Sequence, residues 1–379
     1  MKFRVERDAL AEAVAWTARA LPPRPAVPVL AGLLLETEGS SLTVSGFDYE
    51  VSTQVSTEVH ASTAGRVLVS GRLLADITKS LPPHPVDVTA EGPKVTIVCG
   101  SARFTLPTMP VEDYPTLPSL PSAIGNIESE EFAHAVAQVA VAAGRDDTLP
   151  MLTGVRLEID GDRITLAATD RYRLATRELP WKPEVEGLSQ AVLIPAKTLE
   201  ATAKTLTGGP QVTLALPSGG AGDGIIGFSG GAPRSAGAAS RRTTTRLLDA
   251  EFPRYQSLWP KEFSGQAEMP VAPLVDAVKR VALMADRGTP VRLEFADGGV
   301  TLSAGGDDEG RAEEQLEVAF DSAPMVIAFN PTFLLDGLGA LAAEVATLSF
   351  TTPIKPAVLT AKDSPVDYRY LIMPLRLPG

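Results

Sequence analysis

Few residues of this chain are equipped for covalent or metal chemistry. The three histidines, His60, His84 and His134, lie far apart, and no pair has the spacing of a zinc finger or a zincin. One cysteine, Cys99, excludes a disulfide framework and any multi-cysteine zinc site. Two glycine-rich phrases imitate functional motifs. Gly227-Phe228-Ser229-Gly230-Gly231 fits G-x-S-x-G, which needs a strand before the serine and a helix after it. Here Gly230-Gly231-Ala232-Pro233 follows, which cannot promptly start a regular helix. Gly219-Gly220-Ala221-Gly222-Asp223-Gly224 lacks the Gly-Lys-Ser/Thr of a phosphate-binding loop. These residues point to no catalytic group, no metal and no cofactor. The competing reading, a hydrolase or an enzyme with an active site between repeats, rests on the Ser229 phrase alone.

If the function is not chemistry, it lies in surfaces and in the elements that build them. With 379 residues and 39.8 kDa the chain is too long for one core and implies two or three domains. Hydrophobic residues at 44% and charged residues at 21% make an ordinary folded composition. No run of about 18 uncharged apolar residues is present to span a bilayer. Met1-Lys2-Phe3-Arg4-Val5-Glu6-Arg7 has no apolar segment behind its charges, so it does not read as a signal peptide, and a cytoplasmic location is expected. A net charge of −12 argues against wrapping a polyanion, although net charge averages over faces.

The strongest organising feature is an internal repeat. Leu33-Leu34-Leu35-Glu36, a turn at Gly39 and Leu42-Thr43-Val44 form one strand pair. Val155-Arg156-Leu157-Glu158-Ile159, a turn at Asp160-Gly161 and Ile164-Thr165-Leu166 form a second. Val291-Arg292-Leu293-Glu294-Phe295, a turn at Asp297-Gly298 and Val300-Thr301-Leu302 form a third. In each, the leucine of the Leu-Glu pair precedes the apolar residue of the apolar-Thr pair by seven positions, the signature of a β-hairpin in constant register. Upstream of each hairpin runs an amphipathic helix with the same apolar spacing: Leu10, Val14, Thr17, Leu21; Phe132, Val136, Val139, Ala143; Leu274, Val278, Val281, Ala285. Shorter helices follow over 72–81, 196–206 and 331–341. The expected fold is α+β: three tandem copies of a two-layer domain of helices on antiparallel sheet, over 1–121, 122–260 and 261–379. The Pro-rich run from Pro115 to Pro121 reads as a stiff linker, and the Gly/Ala/Ser-rich stretch 218–240 as one extended loop. Tandem sheets leave a free edge at each end, which head-to-tail pairing into a ring would remove.

Several phrases resemble one family, the bacterial DNA polymerase III β subunit, or replicative sliding clamp. They are the N-terminal Met1-Lys2-Phe3-Arg4-Val5-Glu6-Arg7, Arg24-Pro25-Ala26-Val27-Pro28-Val29-Leu30, Ala168-Thr169-Asp170 with Arg173-Leu174-Ala175, Phe252-Pro253-Arg254-Tyr255, and Tyr370-Leu371-Ile372-Met373-Pro374-Leu375-Arg376-Leu377. The resemblance covers all three repeats. It implies a head-to-tail homodimeric ring of six similar domains, helices lining a central hole and sheet outside, threaded by duplex DNA without sequence preference. Such a ring performs no reaction. It tethers the polymerase at high effective concentration near the primer end.

The resemblance also implies sites. Its DNA-facing positions carry over to Arg24, Arg72 and Arg145, with Lys197 and Lys204 on the second helix of the middle repeat. The inward helix windows, Arg72 and Lys79 against Asp76, Lys197 and Lys204 against Glu200, and Lys279, Arg280 and Arg287 against Asp276 and Asp286, are each neutral to about one unit positive. Weak, sequence-blind phosphate contacts suit a protein that slides. A partner-peptide pocket is implied at Leu152, Thr169, Arg171, Tyr172, Arg173, Leu174, Pro253 and Leu258, completed by Leu371, Ile372, Met373, Pro374, Leu375, Arg376 and Leu377. Arg171-Tyr172 stands where some family members have Gly-His, and Pro378-Gly379 extend past the usual end. The implied dimer contact sets Ile77, Phe104 and Leu106 against Leu283 and Met284, with Arg103 facing Glu313 or Glu314. The implied partners are a second copy, duplex DNA, the replicative polymerase α subunit, the clamp loader and other proteins carrying clamp-binding motifs, with no membrane.

Overall fold

All three hairpins form in one register. Glu36 pairs with Thr43, Glu158 with Thr165 and Glu294 with Thr301, so the seven-residue step is a cross-strand pairing made three times. The turn glycines Gly39, Gly161 and Gly298 sit at φ 55, 59 and 76, which costs glycine nothing and would strain a side chain. A third strand adds to each hairpin, placing Thr43 opposite Ser56, Thr165 opposite Glu178 and Thr301 opposite Gln315. The structure is a computed structural model describing residues 1–217, 224–230, 240–285, 289–306, 310–365 and 367–377.

The helices are α1 (Arg7–Ala18), α2 (Gly71–Ser80), α3 (Ser129–Ala140), α4 (Ala196–Thr205), α5 (Val271–Val281) and α6 (Pro331–Ala340). Their buried faces follow the sequence period: Leu10, Val14 and Thr17 on α1, Phe132, Val136 and Val139 on α3, and Leu274, Val278 and Val281 on α5 are all buried. Each large apolar side chain so enclosed contributes about 1.5–3 kcal/mol. Thr17 is tolerated in the core because its hydroxyl donates to the Ala13 carbonyl at 2.8 Å. Helix α6 starts at Asn330, whose Oδ1 accepts from the Thr332 and Phe333 amides at 2.9 and 3.3 Å, with Pro331 at the first helical position.

The chain forms two units, and the division does not follow the repeats, since the middle one contributes to both. The first unit holds Met1–Ala133, Trp181–Leu188 and Thr198–Leu247. It carries one continuous 14-stranded antiparallel sheet. Within it Ser240–Arg246, the last strand of the second repeat, pairs with Val51–Glu58 of the first, setting Thr243 opposite Thr53. Helix α1 packs on α2 and on this sheet. The second unit holds His134–Pro180, Ser189–Lys197 and Leu248–Gly379, with sheets of nine and four strands. There Tyr368–Ile372, the last strand of the third repeat, pairs with Arg173–Pro180 of the second. In both units the final strand of one repeat extends the sheet of the repeat before it.

Open strand edges among the described residues include one in the chain's first repeat and one in its third. Residues 102–107 pair only with Lys94–Cys99. Gly310–Glu317 pairs only with Gly299–Gly306 and ends the four-stranded sheet.

One expectation is corrected by the strands of the first unit. The stretch 218–240 is not one extended loop: Ile225–Gly230 is a strand between Gln211–Ala215 and Ser240–Arg246. Ile226 and Phe228 supply the reason, since both are fully buried despite their low-complexity surroundings. Residues 218–223 and 231–239, including most of the glycine-rich phrase at 219–224, lie outside the described residues. Ser229 sits inside this strand, opposite Thr213 and Arg242, and not at a strand-to-helix elbow. Among the described residues no helix is long and apolar enough to cross a membrane.

Candidate partner and nucleic-acid sites

The proposed pocket begins at the tight turn joining Arg163–Thr169 to Arg173–Pro180 in the second unit. The Asp170 carboxylate accepts from the Tyr172 and Arg173 amides at 3.0 and 3.1 Å, and the Thr169 hydroxyl bonds the Arg173 carbonyl at 2.7 Å. That arrangement forces Arg171 to φ 80, a left-handed conformation costly for a side chain bulkier than Asn or Asp. It also exposes Arg171 and lifts Tyr172 to 53% exposure, with its ring stacked on Phe333 of α6 at 6.2 Å.

Arg173 is the buried charge of the site, at 5% exposure. Its guanidinium pairs with Asp170 at 2.9 Å and Asp336 at 2.5 Å, reaches the Tyr370 hydroxyl at 3.4 Å, and lies 4.3 Å over the Phe333 ring. Burial alone would weaken its hold on the proton, but Tyr370, Asp336 and Asp170 together outweigh that and raise its pKa. Tyr370 is itself enclosed, donates to the Phe333 carbonyl at 2.8 Å, and lies against Gly337, where an added Cβ would come within 2.5 Å of the ring. Its phenol pKa is pushed up, chiefly by burial. This network joins a turn of the second repeat to a helix and a strand of the third.

The C-terminal segment is held by its backbone. The Met373 amide donates to the Tyr172 carbonyl at 2.8 Å, and the Leu375 amide to the Ala328 carbonyl at 2.8 Å. Leu371 and Ile372 are buried, whereas Met373, Pro374, Leu375 and Leu377 are half-exposed and Arg376 is exposed. Met373 packs against a cluster of Ala167, Leu174, Leu193, Phe252, Tyr255 and Leu371, which Trp259 also flanks. Pro253 is half-buried beside it, and Leu258 shows 48% of its surface. Leu152 is buried in the short turn Pro150–Leu152. Of the expected pocket residues, Thr169, Arg173, Leu174, Leu371 and Ile372 are therefore foundation, and Tyr172, Leu258, Met373 and Pro374 offer surface. Asp336, Phe333, Tyr255 and Trp259 escaped the sequence reading. Only Tyr255, inside the Phe252-Pro253-Arg254-Tyr255 phrase, had a local signal. Tyr255 donates to Glu158 at 2.9 Å beside a cleft of about 330 Å³ that Trp259 and Arg369 also line. Burial and then the Glu158 charge raise its phenol pKa.

The expected DNA-facing residues divide between the units. In the first, Arg24 and Arg72 are exposed, and Arg72 donates to the Pro23 carbonyl at 3.2 Å, which brings its charge beside the loop bearing Arg24. Lys204 is exposed but paired with Glu200 at 2.6 Å, so its charge is largely cancelled. In the second unit Lys197 lies in the first turn of α4, and Arg145 lies in the loop after α3 next to Asp146. Bonds from Thr148 hold the Asp146 carboxyl below its usual range.

For the expected dimer contact, the structure separates surface from core. Phe104 is half-exposed on the open edge at 102–107, Arg103 and Glu313 are exposed, and Leu283 and Met284 show 81% and 38% of their surface. Leu106 at 1% and Ile77 at 7% are largely enclosed by their own unit. Glu314 is held by Arg280 through two bonds of 2.9 and 2.6 Å. Arg287, Asp286 and the 378–379 extension lie outside the described residues.

Residues 1–118, 126–254 and 256–376 match the N-terminal, central and C-terminal domains of the DNA polymerase III beta subunit. The chain is 57% identical over 384 residues to the beta sliding clamp of Streptomyces coelicolor, covering 100% of both. It is 45% identical to the beta sliding clamp homolog GriR of Streptomyces muensis, covering 99% of each. The sliding clamp of Pseudomonas aeruginosa, solved with griselimycin bound, superposes with a TM-score of 0.90 at 27% identity over 100% of both chains. With all three domains matched in order, the chain belongs to the DNA polymerase III beta subunit family, the beta sliding clamps.

Proposed function

We propose that two copies of this chain close into a ring around duplex DNA, without sequence preference, and tether the replicative polymerase there. Domain limits near 121 and 260 belong to this reading. One observation carries it. Two sheet junctions are already made within the chain, each by the final strand of one repeat, and both edges that a third, equivalent junction would need are unpaired. Reciprocal pairing of two copies uses every such edge once, which is closed symmetry. Arg24, Arg72, Arg145 and Lys197 would touch phosphates weakly, and Lys204 least because of Glu200. Tyr172, Leu258, Met373 and Pro374 would receive short apolar peptides of the polymerase α subunit, the clamp loader and other partners, in the cytoplasm.

The test is retention on closed circular against linearised plasmid after loading and gel filtration. The protein should stay on circles and run off linear ends, and Arg24→Glu with Arg72→Glu should shorten retention on circles without lowering thermal stability. Equal loss from both DNA forms by a dimeric, loaded protein would refute encirclement. Unchanged retention in the double variant would remove these two arginines from the contact.

A further inference from the structure

The threefold repetition specifies a register for the open edges that neither edge reveals alone. This step rests on the two-copy reading above. Ser56, Glu178 and Gln315 are equivalent because each faces the threonine of its hairpin. Two residues earlier stand Gln54, Thr176 and Glu313. Within the chain, Gln54 faces Arg242 and Thr176 faces Arg369. The residue of the first repeat corresponding to these arginines follows from the anchors of the final strands. Leu68, Leu193 and Ala328 are equivalent, since they pair with Leu34, Arg156 and Arg292 two positions before the hairpin glutamates. Leu193 and Ala328 accept from the amides of Leu248 and Leu375, and Leu68 pairs with Met109. Six residues before Leu248, Leu375 and Met109 stand Arg242, Arg369 and Arg103. The same residue type thus recurs at all three junction positions.

We infer that Arg103 lies opposite the partner subunit's Glu313, with Phe104 opposite the partner's Ala312. The faces agree. Phe104 pairs with Ile97, whose side chain is buried, so Phe104 points to the helix side of its sheet. On the other edge Glu314 reaches Arg280 of α5, so Glu314 and Ala312 share the helix side while Glu313 and Arg311 point away. A slip that set Arg103 against the partner's Glu314 would turn Phe104 away from the helix layer.

The register assigns a task to Arg311, which holds Glu313 at 2.9 Å within its own chain. On the outer face of the closed ladder Arg311 becomes the diagonal neighbour of the incoming Arg103, and one carboxylate serves two guanidiniums. When the junction opens, Glu313 keeps Arg311 as partner. When it closes, the like charges repel. Arg311 therefore lowers the cost of opening the ring at this junction.

Two measurements on the full chain test this. Arg103→Cys combined with Glu313→Cys should be joined between subunits by a short bifunctional thiol reagent, because the native Cys99 is fully buried, while Arg103→Cys with Glu314→Cys should not. Arg311→Gln should slow subunit exchange between differently labelled copies about two- to fivefold at low salt, less at high salt. Cross-linking at 314 in preference to 313, or exchange unchanged or faster in Arg311→Gln, overturns the inference while the dimer stands. A wild-type chain that is monomeric at every concentration overturns both.

Discussion

Replacing Arg173 by Met should destabilise the second unit and weaken the pocket at the same time. The substitution keeps an apolar stem of similar length but leaves Asp170 and Asp336 without their shared cation, and removes the contact over Phe333. Breaking a buried ion pair by deleting one partner costs about 3–5 kcal/mol. Asp336 is 33% exposed and Asp170 15%, so water can partly replace the guanidinium and the loss falls to about 2–3 kcal/mol. Asp170→Asn and Asp336→Asn added to Arg173→Met remove the stranded charges and should recover at least half of that loss. Trp259 is the only tryptophan of the second unit, so a Trp16→Phe, Trp181→Phe background makes its fluorescence a local reporter of urea unfolding. Peptide affinity should fall with stability, because the turn whose Tyr172 carbonyl anchors the Met373 amide is no longer tied to α6. A loss below about 0.5 kcal/mol, or no recovery in the triple variant, would show that the guanidinium is not the tie described here.

Other outcomes are expected from the same structure. Deleting residues 373–379 should abolish binding of a fluorescent partner peptide while sedimentation still shows the dimer; loss of the dimer would mean the tail is part of the subunit contact. Burial pushes the Tyr114 phenol up to about 12, above its unfolded value of about 10. Its contribution is therefore complete below pH 10 and lost as pH rises toward 12, at up to about 1.4 kcal/mol per pH unit. Tyr114→Phe should flatten that alkaline slope in urea titrations read from Trp16 and Trp181, and an unchanged slope would show that the phenol is hydrated.

The hairpins and helices were legible because their signals are local. A seven-residue step between a Leu-Glu and an apolar-Thr pair, and apolar positions at helical spacing, act over a turn or two, and the structure turns each into the register and the buried face that spacing demands. The strand Ile225–Gly230 was not legible, because glycine- and alanine-rich flanks hide a short apolar run whose burial depends on strands to either side. Nor could spacing distinguish Leu106 from Phe104: both are apolar on one edge strand, and only packing within the unit encloses the first and leaves the second half-open.

By itself, then, the amino-acid order determined three copies of one helix-and-hairpin unit and a resemblance to the clamp family strong enough to point at a peptide pocket. Tertiary structure alone decided what joins the copies. Val51–Glu58 meets Ser240–Arg246, with Ser52 and Thr244 192 residues apart, and Arg173 finds Asp336 163 residues away. No periodicity encodes such partners. Backbone edges pair with whatever complementary edge folding brings beside them, and a guanidinium can be buried only where distant carboxylates and a ring converge to replace its water.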